Sequence, residues 1–372
     1  MLYWFFLFII EGILVLLFYG AKNKIAKNIL FTFIVIFMVY FAGFRDGLGM
    51  DYSSYQNICE REIIQVLHWT LSEPIYYYVT RFCFETQYSA AVFFLFFALV
   101  THASCLYVYK RWSFFPIACM YYLLYTDLYL YSFNVVRQFS SAAMFLLAIY
   151  LFYRSSDKMV LRIVYAVFFM VLGYFMHRSI AFMIPCFLLG DKDYNPKALF
   201  LILLGSMFLP IGSILNLGSF AAVIDALNYS IYADGKISGS SVFSTSNICL
   251  HLVVMIFIIS KKKIDRLNNR EDIILFLKMS VLYLVCNNLS SGSILFAYRF
   301  ALFFSLFLPL LFSYLPKIID KRLALLIVFT PVIVLMSYRL ITGDRLTTPE
   351  RILPLNSIFD RNYNPYSNPI QQ

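Results

Sequence analysis

Charged side chains are scarce in this chain of 372 residues: they make up 13% of it, whereas hydrophobic residues make up 61%. Soluble globular proteins carry roughly 25% charged residues. A water-soluble core could not absorb so much apolar surface, which indicates that a lipid bilayer surrounds the protein. The composition therefore predicts an all-α, polytopic integral membrane protein.

Several signatures of nucleotide chemistry and of metal binding are also missing. The seven cysteines form no CxxC pair, which argues against a cysteine-bound zinc site. No Walker A, GxSxG or HExxH motif occurs. Without a nucleotide-binding loop, ATP coupling and a nucleotide-sugar donor are both disfavoured. We therefore expect neither a metal nor a cofactor.

The first apolar run lacks the features of a cleaved signal peptide. No basic segment precedes it, Glu11 interrupts it, and no small-residue cleavage site follows it. We interpret it as the first of about twelve transmembrane helices. A full span needs about 20 residues, and the run with Pro185 fits this length least well. The runs are approximately 2–20, 29–44, 88–109, 113–132, 135–153, 159–176, 179–190, 198–217, 246–260, 273–289, 299–316 and 322–339.

Lysine alternates along the chain as the positive-inside rule requires. If the N-terminus lies outside the cytoplasm, every inner loop contains lysine, and only Lys236 and Lys278 lie elsewhere. The net charge of +10 then reflects topology, so we expect no nucleic-acid partner. Residues 1–339 would form one transmembrane domain, and 340–372 an outer tail. The inner loops are 21–28, 110–112, 154–158, 191–197, 261–272 and 317–321.

Arginine follows a different pattern, because many arginines lie at or beyond the outer ends of the predicted helices. Topology disfavours cations there, whereas a guanidinium fork binds phosphate through two hydrogen bonds. Ion pairing with outer acids is the alternative, and it would explain Arg61 and Arg81, which are near Glu60, Glu62 and Glu85. The outer arginines are Arg45, Arg61, Arg81, Arg137, Arg178, Arg299, Arg339, Arg345, Arg351 and Arg361.

The stretch 44–55 lies where the second predicted helix meets water. Its two glycines allow a tight turn, which can bring a cation, a carboxylate and two phenols onto one polar target. It opens the first of two long outer loops, 45–87 and 218–245, that we expect to carry function. A helix cap followed by a surface loop is the alternative. The candidate residues are Arg45, Asp51, Tyr52 and Tyr55.

Later in the same loop, a helix is expected to begin near Pro74 and to lie at the membrane interface. The next polar cluster comprises Asn134, Arg137 and Gln138, whose spacing places them on one helical face. A cation and two amides in that arrangement suit a phosphate or a sugar.

A third cluster closes the sixth run. His177 could act as a general base or as a donor to a phosphate oxygen, beside Arg178 and Ser179. Arg299 opens the eleventh run without an adjacent carboxylate, which suggests a bound anion.

Weaker candidates lie within the runs. His102 and His251 are more typical of buried histidines whose hydrogen bonds are satisfied within the protein than of residues that bind a ligand. Glu11 and Asp127 are acids within predicted membrane spans, where an ionisable side chain can have a function.

Four of these arginines open or close a predicted helix on the outer side and could converge on one anionic head group. A lipid-linked pyrophosphate fits, because its tail partitions into lipid while its phosphates meet guanidinium at the interface. Tyr52 and Tyr55 could then hold sugars. The four are Arg45, Arg137, Arg178 and Arg299.

Four motifs in this order resemble the EpsG-like branch of the Wzy-type O-antigen and exopolysaccharide polymerases. They are Phe-Arg-x-Gly-x-Gly-x-Asp-Tyr-x-x-Tyr from Phe44, Asn-x-x-Arg-Gln from Asn134, Phe-x-His-x-Ser from Phe175, and the pair Tyr298-Arg299. The resemblance covers nearly the whole chain.

The resemblance implies a GT-C-like, inverting, metal-independent glycosyltransferase at the periplasmic face of the bacterial inner membrane. It would move a growing glycan from undecaprenyl pyrophosphate onto a new lipid-linked repeat unit. Asp51 or His177 would take the acceptor proton, and Arg45, Arg137 and Arg299 would hold the phosphates. Expected partners are the lipid-linked oligosaccharide and membrane lipid, and a chain-length regulator protein could be another.

Three other functions are alternatives. A glycan O-acetyltransferase would need an acyl route from the cytoplasm and usually an inner-face Arg or His, whereas the His177-Arg178 pair lies on the predicted outer side. A lipid-linked oligosaccharide flippase would carry its charges in a central cavity reached from both faces, whereas these motifs gather on the outer side. An O-antigen ligase would normally have one larger outer loop late in the chain.

Overall fold

The computed structural model describes residues 2–49, 51–60, 72–86, 90–125, 128–155, 158–190, 193–208, 245–290, 295–342 and 356–357. Asp127, nearly all of the predicted loop 218–245 and most of the predicted tail 340–372 lie outside these residues.

The described chain is mostly helical, as the composition predicts. The α-helices are α1 (Leu2–Gly20), α2 (Lys24–Gly43), α3 (Tyr52–Glu60), α4 (Pro74–Glu85), α5 (Ala91–Trp112), α6 (Phe115–Leu124), α7 (Val136–Arg154), α8 (Met159–Met176), α9 (Pro196–Phe208), α10 (Thr245–Ile259), α11 (Lys261–Ile264), α12 (Arg270–Ser290), α13 (Leu295–Ser305), α14 (Leu308–Ser313), α15 (Leu315–Ile318) and α16 (Lys321–Thr342). Two 3-10 helices span Tyr131–Phe133 and Arg178–Leu188. Two-residue strands, β1 (Arg45–Asp46) and β2 (Asn356–Ser357), pair antiparallel.

Five described helices, α2, α5, α7, α8 and α12, are long and apolar enough to cross a membrane. Six shorter apolar helical segments accompany them. The prediction of a helical membrane protein is therefore confirmed, while the number of twelve spans and the GT-C likeness stay predictions.

Three predicted runs are not continuous α-helices. The run 299–316 is divided among α13, α14 and α15, and Pro309 and Pro316 stand near the starts of the second and third of these helices. Proline lacks an N–H and clashes with the carbonyl four residues earlier, which explains why α13 ends at Ser305. The run 113–132 is α-helical only to Leu124, and the run with Pro185 is a 3-10 helix.

The contacts divide the chain into two compact units. The first contains residues 1–111, 115–184 and 336–372. In it α7 packs closely on α8, because Gly173 has no side chain to separate them: a Cβ there would lie 3.0 Å from the Met144 Cβ. Near the predicted inner side, Lys110 donates a 2.9 Å hydrogen bond to the side chain of Asn28.

The second unit contains residues 112–114 and 185–335, and α12 forms its buried centre. Asn288 of this helix donates hydrogen bonds to Ser206 of α9 and to His251 of α10, at 2.8 and 3.0 Å. Such polar contacts hold helices together within a membrane. They join the predicted outer ends of the three helices.

On the predicted inner side of the same unit, Lys261 pairs with Asp193, and Lys317 donates to Asn269 at 3.1 Å. These contacts join the predicted inner loops to one another, which agrees with the alternation of lysine along the sequence.

Candidate functional site

The turn after α2 packs against the segment before α7, and Arg45 links the two. Its guanidinium is buried and donates to the carbonyl oxygens of Ala42, Leu48 and Phe133, the last two at 3.2 and 3.1 Å. The guanidinium carbon also lies 4.2 Å from the ring centre of Phe94. Burial lowers the pKa of Arg45 to about 10, so the side chain stays charged at neutral pH. These contacts favour a positioning role for Arg45.

Gly49 makes this approach possible. It has a φ of +100°, a backbone conformation that residues with a Cβ rarely adopt. An added Cβ would also lie 2.7 Å from the Phe133 carbonyl oxygen. The neighbouring Gly47 also has a positive φ, of +66°, but a Cβ there would meet nothing within 4 Å. The first and second sequence clusters are therefore in direct contact.

The two tyrosines of the first cluster lie on α3 and are buried against the start of α5. Tyr52 stacks on Phe94 with ring centres 4.8 Å apart, and its hydroxyl donates to the Asp46 carboxylate at 3.2 Å. The hydroxyl of Tyr55 accepts a hydrogen bond from the Nε of Arg137 at 3.4 Å. Tyr55 thus connects the first cluster to the second.

Glu73, the residue before α4, stands at the centre of the site. Its carboxylate is 1% exposed, and Oε2 accepts a hydrogen bond from Nη1 of Arg137 at 2.5 Å. The same guanidinium lies over the ring of Tyr76, 4.0 Å from the ring centre. Three different groups therefore hold the Arg137 guanidinium, although its side chain is still 19% exposed.

The third cluster reaches the other oxygen of the same carboxylate. The backbone N–H of Arg178, at the start of the 3-10 helix, donates to Glu73 Oε1 at 3.2 Å. His177 Nδ1 lies 3.7 Å from that oxygen and accepts the Ser179 N–H at 3.3 Å. Because Nδ1 accepts this hydrogen bond, the neutral ring carries its hydrogen on Nε2 and can donate from there.

The environment of Glu73 opposes its ionisation. Burial raises the pKa of the carboxyl above its ordinary value of 4.5, and the nearby Arg137 and Arg178 lower it by less. The ionised carboxylate therefore occupies this position at a net electrostatic cost.

The structure also describes the remaining predicted site residues. Asp51 is half-buried at the turn that begins α3, where its carbonyl accepts the Tyr55 N–H. Asn134 and Gln138 are both buried, but the non-helical backbone of Val135 separates Asn134 from α7. The expected shared helical face therefore does not include Asn134. Arg299 belongs to the second unit, half-buried on α13.

Sequence reasoning missed Glu73. The predicted helix start at Pro74 is confirmed, but the acid before it belongs to none of the sequence clusters. One signal was available, because glutamate is a poor N-cap and this side chain makes no capping hydrogen bond. The partners of this acid are instead the Arg137 guanidinium and the Arg178 N–H.

Three of the four weaker candidates lie in the described part of the chain, and all three are buried. His102 shares a 2.8 Å hydrogen bond with the Tyr122 hydroxyl, and Nδ1 of His251 lies 2.7 Å from the Asn247 carbonyl oxygen. Glu11 is fully buried on α1. In the described part of the chain, no group of three or more His, Cys, Asp or Glu side chains could hold a metal ion.

A comparison with models of protein families identifies the family of this chain. A model of the EpsG family matches residues 28–355, a range that contains all four sequence motifs. The chain belongs to the EpsG family. It is thus a helical membrane protein of a family associated with glycosyltransferase-like polysaccharide polymerases. No curated protein and no solved structure matches the chain.

Proposed function

We propose that this EpsG-family protein polymerises an O-antigen-type polysaccharide at the periplasmic face of the inner membrane. It would transfer the growing glycan from undecaprenyl pyrophosphate to the sugar end of a new lipid-linked repeat unit. One observation carries the proposal: within a chain of this family, three separate sequence motifs meet at a buried, arginine-containing centre.

Arg137 has the geometry that this reaction needs of a phosphate ligand. Tyr55 and Tyr76 orient its guanidinium, and the Arg137 side chain as a whole is 19% exposed. An oriented cation stabilises the negative charge that develops on a departing pyrophosphate, and it does so without reorganising during the reaction. The Arg178 guanidinium, which is close enough to lower the pKa of Glu73, adds positive charge at the same place.

In the proposed inverting reaction, an acceptor hydroxyl oxygen attacks the anomeric carbon of the donor glycan. The bond from that carbon to the pyrophosphate oxygen breaks, and its electron pair leaves with the lipid pyrophosphate. The hydroxyl proton passes to a base. The hydrogen-bonding pattern of His177 suits a donor to a phosphate oxygen, so we assign the base to Asp51.

The other predicted residues receive supporting roles. Arg45 would position the turn that carries Asp51, because its donors are used on backbone carbonyls. Tyr52, Asn134 and Gln138 would shape the sugar side of the site. Arg299 would bind a phosphate of the lipid-linked substrates.

Gene deletion and complementation test this function. A strain without the gene should make glycans of a single repeat, and the wild-type gene should restore a ladder of longer chains. Asp51→Asn should reach the membrane in normal amounts and give no ladder. If the deletion strain makes no surface repeat at all, a flippase or ligase function would replace the polymerase.

A purified preparation tests the chemistry directly. With the lipid-linked repeat unit as the only substrate, the protein should release undecaprenyl pyrophosphate and form polymer in the presence of EDTA. Activity that disappears with EDTA and returns with a divalent cation would contradict the metal-independent mechanism.

A further inference from the structure

We propose that the carboxylate of Glu73 is an internal substitute for a substrate phosphate: it fills the anion site of the enzyme and leaves when the lipid-linked pyrophosphate binds. This inference rests on the proposed function for its ligand class. It goes further by assigning a regulatory role to a residue that no sequence motif includes.

The donors around Glu73 are those that bind phosphate in proteins. One carboxylate oxygen accepts from the Arg137 guanidinium, and the other accepts from the backbone N–H of Arg178 at a helix start. Backbone N–H groups at helix N-termini and arginine forks both favour phosphate oxygens. The imidazole of His177 lies close to the second oxygen. The two oxygens are therefore held as an anionic ligand would be held.

The electrostatic balance makes Glu73 replaceable. Burial raises the pKa of the Glu73 carboxyl by more than its cationic neighbours lower it, so this position favours the ionised carboxylate less than water does. A pyrophosphate brings more charge and more oxygens to the same donors, while its lipid tail stays in the bilayer. Exchange of one anion for the other also keeps an anionic partner beside Arg137.

The local structure allows the exchange. Glu73 makes no side-chain capping bond to α4, and Pro74 has no N–H that needs a cap. Its side chain can therefore leave without breaking the helix. Arg137 would keep its orientation, because the Tyr76 ring and the Tyr55 hydroxyl hold it independently of Glu73. The vacated site would thus be preformed.

The resting contact would keep the site closed to solvent anions. Inorganic phosphate lacks a lipid tail, so it would have to displace Glu73 without the gain from the membrane. A prenyl pyrophosphate combines the charge of its phosphates with a tail that stays in the bilayer, so it should displace Glu73 and open the site. Selectivity for lipid-linked phosphates would follow from this competition.

Binding measurements on the full-length protein in detergent test the inference. The probe is farnesyl pyrophosphate, a short prenyl pyrophosphate, and the variant is Glu73→Gln, which keeps the shape and removes the charge. We expect Glu73→Gln to bind the probe at least about tenfold more tightly than the wild type, because a competing charged hydrogen bond is lost. Arg137→Gln should lose binding both alone and combined with Glu73→Gln.

Glu85→Gln is the matched control. It removes one negative charge from the far end of α4, the helix that Glu73 precedes, at an exposed residue that pairs only with Arg81 among the described ion pairs. Its affinity for the probe should equal that of the wild type. If Glu85→Gln and Glu73→Gln tighten binding equally, general charge rather than displacement would be the cause, and the inference would be wrong.

The outcomes separate this inference from the proposed function. If neither wild type nor Glu73→Gln binds farnesyl pyrophosphate, the substrate class itself fails. If both bind it with equal affinity, or the variant binds more weakly, the pyrophosphate site stands and Glu73 is a permanent anchor.

Hydrogen–deuterium exchange on the wild type provides a test that needs no variant. Farnesyl pyrophosphate should increase deuterium uptake in the peptide around residues 73–78, since Glu73 gives up its hydrogen bonds to Arg137 and to the Arg178 N–H and only the Tyr76 contact with Arg137 is kept. Unchanged or decreased uptake on binding would overturn the inference.

Discussion

Nη1 of Arg137 lies 2.5 Å from Oε2 of Glu73, although 64 positions separate the two residues in the sequence. The contact joins the start of α7 to the start of α4. It places Arg137, which belongs to the second sequence motif, beside Glu73, which belongs to no motif. Around it, Tyr55 and Arg178 bring the first and third motifs to the same point. The contact therefore defines the site at which the sequence motifs meet.

Replacing Arg137 by lysine should impair glycan synthesis although the charge is kept. Lysine cannot reach Glu73 and Tyr55 at once or stack as a plane on Tyr76. We expect activity to fall roughly tenfold to a hundredfold, which corresponds to about 1.5–3 kcal/mol. The measurement is ladder length in a complemented deletion strain at equal membrane expression.

Arg81→Lys is the control for that substitution. Arg81 forms an exposed pair with Glu85 at 2.6 Å, as the sequence predicts, and such pairs contribute little to stability. Its ladder should match the wild type. A full-length ladder from Arg137→Lys as well would mean that Arg137 supplies only charge.

Gly49→Ala should destabilise the turn that Arg45 holds. The added Cβ would meet the Phe133 carbonyl oxygen at 2.7 Å, and the positive φ adds strain of about 1–3 kcal/mol. A lower unfolding temperature and shorter glycans are expected. Gly47→Ala is the matched control, because its Cβ would enter open space. Equal loss in both variants would show that backbone conformation, and not the contact with Phe133, sets the requirement for glycine.

The raised pKa of Glu73 predicts how stability depends on pH. The folded protein holds the Glu73 proton more tightly than the unfolded chain does, so this group's contribution to stability decreases as pH rises above 4.5, until the folded-state pKa has been passed. Denaturant unfolding in detergent at a series of pH values can compare the free energy of unfolding of the wild type with that of Glu73→Gln, whose side chain does not titrate. The variant should show a flatter profile over this range. Identical profiles would mean that burial does not perturb Glu73.

The pair Cys59 and Cys83 provides a test of the compartment. Both thiols are buried, on α3 and α4, and they are hydrogen bonded to each other. If this region faces an oxidising periplasm, a protein thiol oxidase can accept their two electrons and a disulfide should form. Under denaturing conditions, maleimide-polyethylene glycol should then label five of the seven cysteines without reductant and all seven after reduction.

Cys59→Ser should abolish the difference between reduced and unreduced samples. Seven labelled cysteines in the wild type under both conditions would place the pair in a reducing compartment and would contradict the predicted orientation.

The linear order of apolar residues was sufficient to predict the membrane environment and the approximate positions of most of the described helices. These properties follow from local hydrophobicity and charge, which act on each segment separately. The start of α4 at Pro74 was also predictable, because proline at a helix start is a local signal.

Tertiary structure decided which side chains meet. Arg45 and Arg137 look alike in the sequence, yet one donates to backbone carbonyls and the other to a carboxylate and a phenol. The central role of Glu73 could not be predicted, because its partners come from segments distant in sequence. Hydrogen bonds act over about 3 Å, so only the packing of α3, α4, α7 and the 178–188 helix determines them.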